Sequence, residues 1–120
     1  VIALALAIAA SQAQAADPDV EACAILQALV SRATAPQRID AVTQSAGATL
    51  SCPQKTLTFN KVVSVNLSDA PAGWRENGRR DWSHFVCNGA GFGPMARRGW
   101  TFIESWTFRN GERVTIVAHC

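Results

Sequence analysis

Glu104, Arg113 and His119 are residue types that can move protons and neutralise developing charge, and they lie close together in the last stretch of the chain. For hydrolysis, a general acid and a general base must converge on one substrate within hydrogen-bond reach. The segment WTFIESWTFRNGERVTIVAHC, residues 100–120, reads as two strands around Asn110 and Gly111. Successive side chains on a strand point to opposite faces. Glu104 therefore shares a face with Trp100, Phe102, Trp106 and Phe108. A three-residue loop, Arg109-Asn110-Gly111 with Gly111 left-handed, sets Trp106 opposite Val114 and Glu104 opposite Ile116. That register pairs apolar with apolar along the row, whereas a slip of one residue would reverse every face. It also puts Arg113 and His119 on the face away from Glu104.

A carboxylate in an aromatic row is costly unless it is paired. Lys61 is the cation on the core parity of an earlier strand. Its stem can cross the sheet while its methylenes cover aromatic rings. Glu104 is thus expected to form a semi-buried pair with Lys61. Two alternatives stand beside this: Glu104 faces water at a sheet edge, or it belongs to a small secreted hydrolase of the microbial ribonuclease type using Glu104, Arg113 and His119.

The remaining candidates are binding groups. Trp74, Arg75, Arg79 and Arg80 lie in a polar stretch, SDAPAGWRENGRR, read as a loop over 68–80. Arginine beside tryptophan can stack on a ring or bind anionic sugar and phosphate. A glycine-rich connection over 88–99 carries Phe92, Met95, Arg97 and Arg98. Large apolar residues flanked by arginine suit a protein-binding tip, or they fold back over the sheet end. The run GAGFG within it is not a phosphate loop. Its third glycine comes too early for G-x-G-x-x-G, and no G-K-[ST] follows. The formal net charge of +2, without a basic stripe, does not point to nucleic acid.

Cys23, Cys52, Cys87 and Cys120 are even in number and widely spaced. That suits a disulfide framework in an oxidising compartment rather than zinc, which favours close ligand pairs. No metal or cofactor is expected. Two connectivities compete: Cys23–Cys52 with Cys87–Cys120, or Cys52–Cys87 with Cys23–Cys120. Residues 1–15 read as the h-region and A-x-A cleavage site of a secretory signal, with a charged n-region expected upstream. Its apolar run is shorter than the about 20 residues a spanning helix needs, so no transmembrane segment is expected in the mature chain. A single domain over 16–120 is expected to be secreted or periplasmic.

These groups must be positioned by an α+β fold. Asp17-Pro18 caps a helix with Ala22, Cys23, Ile25, Leu26, Leu29, Val30 and Ala33 on one side. Pro36 is expected to open a second helix with Ile39, Val42 and Ala46 on one face, ended by Gly47. Beyond Thr56 the period becomes two: Leu57, Phe59, Val63, Val65 and Leu67 mark a strand, and residues 81–87 are read as another. The expectation is two N-terminal helices packed on a four-stranded antiparallel sheet, α-α-β-β-β-β, held by disulfides. The expected function is a non-enzymatic binding module, an inhibitor or bacterial envelope accessory protein, meeting a protein or an anionic glycan through loops 68–80 and 88–99. Besides the hydrolase, the alternative is a structural envelope component.

Overall fold

The computed structural model describes residues 17–33 and 36–120, so the signal-peptide expectation for residues 1–15 lies outside the described residues. Helix α1, Pro18–Arg32, forms as its cap predicts, with Asp17 Oδ1 accepting the Asp19 N–H at 2.9 Å. Ala22 and Leu26 are buried on its inner side, whereas Ile25, expected on the same side, is exposed because it lies next to Leu26 around the turn and faces away from the sheet. Its first turn is tied across the fold by Asp19. Oδ2 meets Lys55 Nζ at 2.9 Å, and Oδ1 accepts from Trp100 Nε1 at 3.3 Å. The Lys55 hydrogen bond, above all, holds the Asp19 carboxyl below its ordinary value.

The second N-terminal helix does not exist. Residues 36–51 instead form β1, Gln37–Arg38, and β2, Thr43–Ser51, paired antiparallel. Asp40 turns the chain between them by accepting the N–H groups of Val42 at 2.9 Å and Thr43 at 2.8 Å. Ile39, Val42 and Ala46, whose spacing suggested a helix face, are exposed. Gly47 is not a helix cap. It has φ +87° within a bulge between Ser45 and Ala48, where the register against β3 shifts. The bulge moves the inward parity by one residue, from Thr43 and Ser45 to Ala48 and Leu50, and so hides a strand from a period-two reading.

β3, Thr56–Val63, lies antiparallel to β2 as expected of consecutive strands. The chain beyond β3 departs from the antiparallel meander. Residues 81–87 belong to α2, Trp74–Asn88, and the glycine-rich connection contains a short helix α3, Phe92–Arg97. These two helices carry the chain over the sheet, so β4, Thr101–Thr107, enters parallel to β3. Parallel neighbours need such a crossover. β5, Arg113–Val117, returns antiparallel in the predicted register, with Trp106 opposite Val114 and Glu104 opposite Ile116. Gly111 takes the left-handed conformation in the three-residue loop, at φ +88°. The sheet is five-stranded and mixed, in the order β1-β2-β3-β4-β5.

The core joins α1 and α2 to one sheet face, through Ala22, Leu26, Trp82 and Val86 on the helices and Leu57, Phe102, Val114 and Ile116 on the strands. Two disulfides pin the helices to strand ends: Cys23–Cys52 ties α1 to the β2–β3 turn, and Cys87–Cys120 ties α2 to the segment after β5. Among the described residues no helix is long and apolar enough to cross a membrane.

Candidate functional site

A cleft of about 560 Å³ opens where α2 and the segment leading into it pass over β3 and β4. Its floor is the Lys61–Glu104 pair. The register sets Lys61 beside Trp106 and Phe59 beside Glu104 on the two parallel strands, so the lysine stem runs diagonally and its ammonium donates to Glu104 Oε2. The same ammonium lies 4.6 Å from the centroid of Trp106, a cation–π contact. Glu104 is 6 % exposed. The carboxylate in the aromatic row is therefore explained by an internal partner, as its cost demanded.

The walls come from α2. Gly73, at φ +78°, lets the chain turn after Pro71 into a helix beginning at Trp74. From there Trp74, Gly78, Trp82 and Val86 recur every fourth residue and form one stripe. A Cβ on Gly78 would sit 3.0 Å from Ile116 Cδ1, a contact tight enough that the isoleucine tip would have to give by a few tenths of an ångström. Trp74 packs edge-on against Trp106, at 5.2 Å between centroids, and against Phe108 at 5.4 Å. Trp82 is anchored by its Nε1–H, which donates to Phe102 O at 3.1 Å. Phe85 stacks on Trp82 at 5.7 Å with 16° between planes, and is 59 % exposed. Asn77 and Asp81 stand at the mouth. Trp106 Nε1 is buried with no hydrogen-bond partner among the described residues.

The expected binding residues do not form one surface. Trp74 lines the cleft, whereas Arg79 and Arg80 line a groove with Glu76, Ser83 and His119. Arg75 joins Arg79 and His119 in an adjoining groove beside Thr115. Arg79 Nη2 meets Glu76 Oε1 at 2.9 Å, and Arg80 Nη2 reaches Asn77 Oδ1 at 3.3 Å. Met95 is buried in the core, and Phe92 packs on Phe102 at 4.7 Å. The apolar tip expected from these two residues is thus folded back over the sheet. Arg97 and Arg98 are exposed beyond it.

The three candidate hydrolytic residues are likewise dispersed. Glu104 lies on the cleft floor and Arg113 is exposed on β5 with the opposite parity. His119 follows β5, and its backbone N–H donates to Ser83 Oγ on α2 at 3.0 Å. His119 lines the arginine groove rather than the cleft. Among the described residues no group of three or more His, Cys, Asp or Glu is placed to hold a metal ion. Trp82, Phe85, Asn77, Asp81 and Trp106 were missed as site residues. The signal that could have found the first four is the four-residue spacing of Trp74, Gly78, Trp82 and Val86, which shows the helix, with Asn77, Asp81 and Phe85 as the adjacent row at the same spacing.

No protein-family model matches the chain, and no curated protein matches it. The fold does have a precedent. The chain is similar to the crystal structure, at 1.60 Å resolution, of a "putative secreted protein" from Pseudomonas aeruginosa. The TM-score is 0.66 at 18 % identity, over 85 % of this chain and 93 % of the other. At that identity the likeness concerns the fold.

Proposed function

We propose that the domain is a non-enzymatic binding module of the periplasm or the extracellular space, an inhibitor or envelope accessory protein whose binding element is α2. The observation that carries this reading is Phe85. A large apolar ring left 59 % exposed, stacked on a buried tryptophan at the mouth of a cleft, is poorly placed for stability and well placed for contact. The unpartnered Trp106 N–H points the same way, because local rules are broken most often where a surface serves a ligand. Two disulfides within a small core fit an oxidising compartment. The partner is a protein or a glycan, and the two flanks of α2 offer it an aromatic cleft and an arginine-lined groove. An anionic glycan suits the arginine flank. The dispersal of Glu104, Arg113 and His119 weighs against the hydrolase, whose acid and base must converge.

Affinity capture from periplasmic and culture fractions, followed by mass spectrometry, tests the reading. It is run with the wild type, Phe85→Ala and Arg79→Ala side by side. A partner retained by the wild type and lost by at least one variant is expected. Identical recovery on all three proteins would remove α2 as the binding element. RNA cleavage by the purified protein, abolished by both Glu104→Gln and His119→Ala, would restore the hydrolase.

A further inference from the structure

We infer that the cleft is a subsite for one pyranose ring of a neutral glycan, an assignment that rests on the binding reading above and names its ligand. A pyranose presents a face of C–H groups and an edge of hydroxyls. The C–H face packs on the electron-rich face of an aromatic ring. Each hydroxyl both donates and accepts hydrogen bonds. A site for it needs an open aromatic platform beside mixed donors and acceptors of little net charge.

The cleft supplies both. Phe85 is the open platform, and its orientation is set by the stack on Trp82, which Phe102 O holds in turn. A platform fixed before binding loses little side-chain entropy when a ligand arrives. On the floor, the Lys61 ammonium is a donor and the Glu104 carboxylate an acceptor, joined through Oε2. Oε1 of Glu104 meets no hydrogen-bond partner among the described residues. The pair has no net charge, so it offers polar groups to a diol without selecting an ion. Asn77 and Asp81 extend the same mixture to the mouth. The volume of about 560 Å³ lies within the usual range for small-ligand sites, about 300–1,000 Å³.

Charge and topology weigh against two other occupants, an anionic sugar and a peptide added as a strand. Among the described residues of the lining the one cation, Lys61, is already paired with Glu104, and Asp81 meets Arg80 at 3.8 Å, so no unpaired cation is offered there to an anionic sugar. Arg75 and Arg79 lie on the other flank of α2, and Arg80, which borders the mouth, is engaged with Asn77 and Asp81. An extended peptide would seek a free strand edge, but β3 and β4, which form the floor, are interior strands of the sheet.

The test is titration of the whole domain with cellohexaose, maltohexaose, chitohexaose and mannohexaose, with polygalacturonate as the anionic comparison. Tryptophan emission and the indole N–H signals in proton–nitrogen spectra report binding. At least one neutral hexasaccharide is expected to give saturable shifts of the Trp82 and Trp106 indoles. Phe85→Leu, which keeps an apolar side chain but removes the ring face, should weaken that binding about ten-fold, while Phe85→Trp retains it. Both substitutions are at an exposed position and leave the core intact. No response to any neutral sugar up to about 10 mM, or Phe85→Leu binding like the wild type, overturns the assignment. Polygalacturonate binding that depends on Arg79 rather than Phe85 overturns it too, but leaves α2 as the binding element. So does a captured protein lost with Phe85→Ala. Failure of every sugar, together with capture indifferent to α2, removes both readings.

Discussion

Removing one partner of the Lys61–Glu104 pair should cost far more than breaking a surface ion pair, and the two partners should not cost the same. The Glu104 side chain is 8 % exposed and that of Lys61 20 %. A lone charge left fully buried destabilises by about 3–5 kcal/mol, whereas an exposed pair contributes about 0–1 kcal/mol. Lys61→Met strands the more buried group, a carboxylate among aromatic rings, and should cost about 2–4 kcal/mol. Glu104→Gln strands an ammonium that keeps partial access to water. It also keeps the Trp106 ring, a contact of about 0.5–1 kcal/mol at partly exposed sites. Its cost should be about 1–2 kcal/mol. The double substitution removes both charges, so it should fall short of the sum of the single losses by about 1–2 kcal/mol. Urea melts of the four proteins, compared at constant m, measure the cycle. Additive losses, or single variants within about 0.5 kcal/mol of the wild type, would refute the reasoning and place Glu104 in effective contact with water.

Asp19 supplies a pH dependence. Its folded carboxyl is held below the ordinary value of 3.8, chiefly by Lys55. The stabilisation is therefore complete above that value and lost as pH falls below it and the carboxylate protonates in the fold. Asp19→Asn should flatten this acid limb in denaturant melts, leaving the part due to Asp40, whose carboxyl is lowered chiefly by the Val42 N–H and then by the Thr43 side chain. Removing the Cys87–Cys120 bridge by paired serine substitutions frees a span with sequence separation 33 and should cost about 3–4 kcal/mol, read by thermal or urea unfolding. Gly93→Ala should destabilise by about 1–3 kcal/mol although alanine is the better helix former, because its Cβ would meet Cys87 O at 2.6 Å. Gly91→Ala, with nothing within 4 Å of the added carbon, serves as the neutral control.

The parts of the fold legible in the sequence are those where one strong local rule acted without competition. Asp17 and Pro18 mark the start of α1 because a cap and a prearranged φ act on the same turn. The β4–β5 register could be derived because only the three-residue loop matches apolar partners along the whole row. The Lys61–Glu104 pair followed from the cost of burying a charge, which holds however the chain connects the two strands. β2 was illegible for the opposite reason. Its bulge at Gly47 breaks the period that identifies strands, and Ile39, Val42 and Ala46 imitate a helix face while lying in solvent.

Neither half of α2 reads as helix in the sequence, so the residues it brings to the cleft are scattered over a loop and a strand in that reading. Its first half, WRENGRR, reads as a loop because Asn77 and Gly78 have poor helix propensity and the charged residues obscure any apolar period. Its second half reads as a strand because Trp82, Phe85 and Val86 are β-formers in a short window. Only the row from Trp74 to Val86, at four-residue spacing across both halves, shows one helix. That row includes Gly78, whose missing side chain admits Ile116. Leaving out the Cβ costs about 1 kcal/mol of helix propensity relative to alanine. In return Gly78 leaves the Ile116 side chain its place and itself lines the cleft with Lys61 and Glu104. The residue that made the helix hard to recognise is therefore a residue that shapes the cleft, and local propensity yields to tertiary contact at the site itself.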